Sequence, residues 1–170
     1  MMMEGRFSRS LGRGVFALLG LLLVFVVPPP TATAGDVTAF VTLPSPSEEW
    51  GRGYGAALTS TWFQVLHFEG EAARLQGELP DTAMTTFTGS ALLRPRVGLL
   101  TPYGGVGVGL FRQTVGSDSD LGTLRALIFG AKLKLGPLVI VKGEYRRLSL
   151  SGTPLVPLTS RVAAGVGISF

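Results

Sequence analysis

From residue 35 onward, apolar and polar residues alternate with a period of two, in stretches separated by Gly, Pro, Asp and Ser. That period sends successive side chains to opposite faces of an extended chain, so each stretch predicts a strand with one apolar and one polar face. The stretches fall at roughly 36–43, 53–62, 65–76, 83–93, 100–115, 122–135, 138–149 and 159–170. Eight such strands of roughly ten residues, tilted near 40°, are enough to close an antiparallel barrel across a membrane.

The final stretch alternates most regularly. Val162, Ala164, Val166, Ile168 and Phe170 share one face, and Arg161, Ala163, Gly165, Gly167 and Ser169 share the other. In the hairpin before it, Lys132 and Lys134 lie opposite Phe129, Ala131, Leu133 and Leu135, the chain turns at Gly136-Pro137, and Lys142, Glu144 and Arg146 lie opposite Val139, Val141 and Tyr145. A charge placed in lipid near the midplane costs about 2–4 kcal/mol, so in a membrane barrel these alternate charges must point into the bore.

Composition sharpens this reading. The 24 glycines are costly inside helices, and no apolar run after residue 34 is long enough for a spanning helix, yet the mean hydropathy is +0.41. A barrel with alternate residues facing lipid reconciles the two. There is no cysteine, which excludes disulfides, a lipoprotein attachment site and thiolate metal sites.

Residues 1–34 differ from the rest. Arg6, Arg9 and Arg13 precede an apolar run from Val15 to Val27, Pro28-Pro29-Pro30 ends it, and Ala32-Thr33-Ala34 offers small residues at −3 and −1 before Gly35. The run is about 13 residues, short of the roughly 20 that span a membrane as a helix, so the segment predicts a signal peptide cleaved after Ala34. The remaining 35–170 is one domain by size. Without the three arginines and Glu4 of the leader, 12 Lys and Arg face 10 Asp and Glu, with no basic stripe to suggest nucleic acid.

The run Pro102-Tyr103-Gly104-Gly105-Val106-Gly107-Val108-Gly109-Leu110, together with Lys134-Leu135-Gly136-Pro137, Glu144-Tyr145-Arg146 and the last strand, resembles the small bacterial outer-membrane β-barrel superfamily of OmpA-like, OmpX-like and OmpW-like porin-family proteins. The resemblance covers the whole chain after the leader and implies outer-membrane localisation as a monomer among membrane lipid and lipopolysaccharide. It also implies delivery by periplasmic chaperones to the barrel-assembly machinery, with terminal Phe170 as the assembly signal. A cell-wall tether of the full OmpA kind is not expected, because no peptidoglycan-binding domain follows the barrel.

A barrel that enters from the periplasm places the connections near Gln64, Arg96 and Gly136 on the periplasmic side, and those at 44–52, 77–82, 116–121 and 150–158 outside. Aromatics are expected at the two interfaces. Tyr54 and Trp62, on one face of the second strand and about 20 Å apart along the membrane normal, suit such girdles. Trp50, Tyr103 and Tyr145 are further candidates. Pro154 and Pro157 predict a rigid last loop.

The charges predicted inside are Glu69, Glu71, Lys132, Lys134, Lys142, Glu144, Arg146 and Arg161. An eight-stranded bore is narrow enough for side chains to fill, which favours an ion-pair network over an open pore. Gly104, Gly105, Gly107 and Gly109 lack the Lys and Ser or Thr of a phosphate loop, and they make room for bulky neighbours. His67, the single histidine, falls on the inward face near Glu69. It has no second His and no Cys with which to bind a metal, and it lacks the Ser and acid spacing of a lipid A hydrolase. No catalytic residue, metal or cofactor is expected. The readings left are a structural or interaction barrel, a narrow channel or lateral transporter for small or hydrophobic solutes, a soluble periplasmic lipid-binding barrel with the alternation inverted, and a lipid A acyl hydrolase.

Overall fold

In a computed structural model that describes residues 35–45, 50–62, 65–77, 79, 81–95, 99–152 and 154–170, the chain forms eight strands. The expected leader 1–34 lies outside the described residues. The strands are β1 (Gly35–Pro44), β2 (Trp50–Thr61), β3 (Leu66–Gly77), β4 (Thr82–Leu93), β5 (Leu100–Val115), β6 (Asp118–Leu135), β7 (Val139–Ser151) and β8 (Ser160–Ser169). Each pairs antiparallel with its neighbours in chain order, and β1 pairs with β8 to close the barrel.

The register sets the slant of the strands. Register partners lead from Gly35 to Ser60, Phe68, Ala91, Val106, Leu127, Arg147 and Ser160. The circuit returns to β1 at Ser45, whose amide donates to the Ser160 carbonyl. The offset from Gly35 to Ser45 is the stagger that closure demands, and for eight strands it means a tilt of about 40°. At the seam, the Gly35 and Phe170 backbones exchange two hydrogen bonds of 2.8 and 2.9 Å, so the last residue helps to close the ring.

Alternation decides the faces as the sequence predicts. On β8, Val162, Val166 and Ile168 are exposed on the outside, as is Phe170 just after it, while Arg161 and Ala163 are buried inside. One expected connection is corrected. Residues 116–121 are not a loop: the β5–β6 ladder runs on to Val115 and Asp118, leaving a two-residue turn at Gly116-Ser117. Gly116 has φ +57°, a conformation most side chains resist, and so permits that tight turn.

Bulky inward rings fit because glycines lie beside them. A Cβ on Gly55 or Gly165 would overlap Phe40, one on Gly130 would overlap the Tyr103 ring, and one on Gly122 would overlap Phe111. In a bore this narrow, omitting a side chain on one strand makes space for a ring on the next. Gly105 and Gly107, foreseen as space-makers, stand against Leu92 and Ser90 in the same way.

Candidate functional site: the filled bore

The bore divides into two zones. The first, nearer the chain termini, is charged. At its base Asp36 of β1 accepts 2.6 and 2.9 Å hydrogen bonds from Lys132 Nζ of β6, and Arg94 Nη1, just after β4, lies 3.2 Å from the same carboxylate. Lys132 also donates to Thr59 Oγ1 at 3.1 Å, and the Thr59 hydroxyl donates to Glu69 Oε2 at 3.2 Å.

Above this, Arg146 of β7 is the hub. Its guanidinium reaches Glu69 at 2.6 Å, Glu71 at 2.8 Å and Glu144 at 2.5 Å. Lys142 Nζ adds contacts of 3.0 Å to Glu69 and 2.9 Å to Glu144, Arg161 pairs with Glu71, and the Tyr103 hydroxyl donates to Glu144 at 2.8 Å. Two rings are interleaved with the charges: Lys142 and Arg161 lie 5.8 and 5.9 Å from the Phe40 ring, and Lys132 lies 5.9 Å from that of Tyr103. The three glutamates bring ligand oxygens within 4.8 Å of one another, a spacing a cation would accept. The Arg146 guanidinium, ion-paired with all three, takes that role itself.

The second zone is apolar. Trp50, Leu75, Met84, Phe111, Leu124, Ala126 and Leu148 converge at the end away from the termini, joined by Val156 and Leu158 from the β7–β8 connection. Within it, Val156 and Leu158 turn inward while Leu155 and Pro157 stay exposed. Gln113 of β5 holds it with a two-sided clasp, its Nε2 donating to the Val156 carbonyl at 2.7 Å and its Oε1 accepting from the Val156 amide at 3.2 Å. Trp50 Nε1 adds a 3.1 Å bond to the Pro157 carbonyl.

Of the eight charges predicted inside, the structure brings seven into this network. Lys134 is the exception. It holds the inward register opposite buried Ile140, but β6 ends one residue later, and the ammonium is exposed at the rim. Asp36, Arg94, Thr59 and Tyr103 were missed. The outward parity of Val37, Val41 and Leu43 was the signal that would have turned Asp36 inward.

Of the girdle candidates, Tyr54, Trp62 and Tyr145 are exposed on the outside, and Trp62 meets Phe68 edge-to-face at 5.7 Å. Trp50 and Tyr103 are corrected: they are buried at 2% and 5% exposure, because each has a polar atom that finds a partner inside. His67 is buried on the inward face of β3, with Nδ1 2.9 Å from Thr61 Oγ1. The inverted alternation of a soluble lipid-binding barrel is contradicted, since charges line the bore while Val41, Leu43, Val106, Val108, Phe129 and Val166 are exposed outside.

The fold is similar to that of several solved eight-stranded outer-membrane barrels. Ail, the attachment invasion locus protein of Yersinia pestis, superposes with a TM-score of 0.58 at 15% identity, over 80-odd per cent of this chain (81%) and 97% of its own. The N-terminal β-barrel domain of Pseudomonas aeruginosa OprF gives 0.55 at 17% identity, covering 81% and 97% of the two chains. Neisserial surface protein A gives 0.54 at 16% identity, covering 80% and 93%. These likenesses establish the fold. No protein-family model and no curated protein sequence matches the chain.

Proposed function

We propose that residues 1–34 are a cleaved signal peptide and that the remainder inserts into the outer membrane as a closed barrel with a structural or interaction role. The end carrying Gly35 and Phe170 faces the periplasm, and the opposite end faces outward. The filled bore carries this reading: a cross-bore ion-pair network occupies one level and a cluster of buried apolar side chains the next, and both stand in the way of a solute. Backbone pairing around all eight strands supports it too, because a lateral transporter needs a seam between strands. Hydrolysis of a membrane lipid calls for a nucleophile and base that the lipid can reach, whereas His67 is buried toward the bore.

In planar bilayers the purified protein is expected to give at most small and rare conductance steps. Large, steady, porin-like conductance would overturn the closed-bore reading in favour of a channel. In fractionated cells the mature protein, starting at Gly35, is expected to sediment with outer membranes, and recovery in the soluble periplasmic fraction would defeat the localisation.

A further inference from the structure

The lipid-facing side of a membrane barrel is normally apolar, so charges found there call for an explanation. Among the described residues, the outward faces of the eight strands carry five charged side chains, and all five are arginines: Arg52, Arg74, Arg112, Arg125 and Arg147, each exposed. None of them forms an ion pair with another described residue, in contrast to the arginines inside the bore.

Their levels in the barrel agree. Arg74 pairs with Thr85, and Thr85 with Arg112, placing both on one row of the ladder. Arg125 pairs with Ser149, two residues above Arg147 on β7. Arg52 precedes Gly53 and Tyr54, and Tyr54 pairs with Arg74. With a rise of ~3.3 Å per residue and a tilt near 40°, all five lie about 18–27 Å above Gly35, toward the end away from the termini. Below them the outside is apolar, with Val37, Leu58, Val106, Phe129, Val166 and Ile168 exposed. A charge at the midplane costs about 2–4 kcal/mol and at the interface about 0–1, so this belt fits only the upper margin of the hydrocarbon layer.

We infer that these five arginines form a phosphate-binding belt that grips the phosphate groups of lipopolysaccharide in the outward leaflet. The inference rests on the outer-membrane reading above. Like charges that form no ion pair with a described acid repel unless an anionic partner neutralises them. Arginine's planar fork can bind two phosphate oxygens at once, which suits a ring of lipid headgroups pressed against the barrel. The belt spans β2, β3, β5, β6 and β7, so it would hold lipid around most of the circumference.

The test uses wild-type protein folded into phosphatidylcholine vesicles containing either phosphorylated or enzymatically dephosphorylated lipopolysaccharide, with a gel shift on heating to report barrel formation. Wild type is expected to retain phosphorylated lipopolysaccharide through detergent extraction and to unfold at a higher temperature in its presence, with both effects lost on dephosphorylation. Replacing Arg74, Arg112 and Arg125 by Gln together is expected to lower retention about tenfold or more while the gel shift persists. Lys134→Gln, at the other rim, is expected to leave retention unchanged. Equal retention of the phosphorylated and dephosphorylated forms by wild type would overturn the belt even if the triple variant fails to fold, and so would undiminished retention by a folded triple variant. A wild type that gives no heat-sensitive folded band in any vesicle would instead overturn the membrane reading, and the belt with it.

Discussion

Arg146 Nη2 on β7 and Glu69 Oε1 on β3 meet 2.6 Å apart, with 1% and 0% of their side chains exposed. The two strands stand four apart in a ring of eight, so the pair reaches across the bore. Arg146 also binds Glu71 and Glu144, and one guanidinium thereby ties β7 to the opposite wall.

Removing one carboxylate from this hub leaves its buried cations one negative charge short. Glu69→Gln takes a partner from both Arg146 and Lys142, and Glu144→Gln takes one from the same two cations and replaces the acceptor of the Tyr103 hydroxyl. Breaking a buried pair by deleting one side costs about 3–5 kcal/mol. Urea unfolding of vesicle-inserted protein is expected to show each loss, and the double variant is expected to lose more than the sum, because each single variant leaves Lys142 the other carboxylate and the double leaves it none. Fully additive losses would mean that the carboxylates act independently.

The clasp on the β7–β8 connection admits a different test. Gln113→Leu keeps the volume but forfeits both bonds to Val156, which are worth about 1–3 kcal/mol together. Hydrogen exchange of the Val156 amide is expected to accelerate while the strands stay protected. Unchanged exchange there would show that apolar packing of Val156 and Leu158 holds the segment without the glutamine.

Deletion of Phe170 removes both backbone bonds to Gly35 at the seam as well as the expected assembly signal. Outer-membrane insertion is expected to fall and the chain to become sensitive to periplasmic proteases. Unchanged insertion yield would show that neither the ring nor the closing bonds matter for assembly.

Space inside the bore is testable at Gly130. A methyl group there overlaps the Tyr103 ring, and overpacking of this kind costs about 1–3 kcal/mol. Gly130→Ala is expected to lower the unfolding midpoint, and Tyr103→Phe in the same chain is not expected to restore it, because the ring remains. A Gly130→Ala midpoint equal to wild type would mean that the ring has room to shift.

Much of this protein was legible along the chain. Strict alternation located eight strands to within a few residues, and it turned Glu69, Glu71, Lys132, Lys142, Glu144, Arg146 and Arg161 inward, because a strand has only two faces and lipid rejects charge. What alternation cannot supply is level and partnership. Lys134 has the correct parity, but its strand ends too soon to enclose it. Trp50 and Tyr103 resembled interface aromatics until the stagger of the strands put Pro157 and Glu144 within reach of their polar atoms. The inward turn of Val156 and Leu158, the meeting of Asp36 with Lys132, and the common level of the outward arginines all depend on the shear of the closed barrel. Shear joins residues far apart in sequence, so it becomes visible only when the sheet closes.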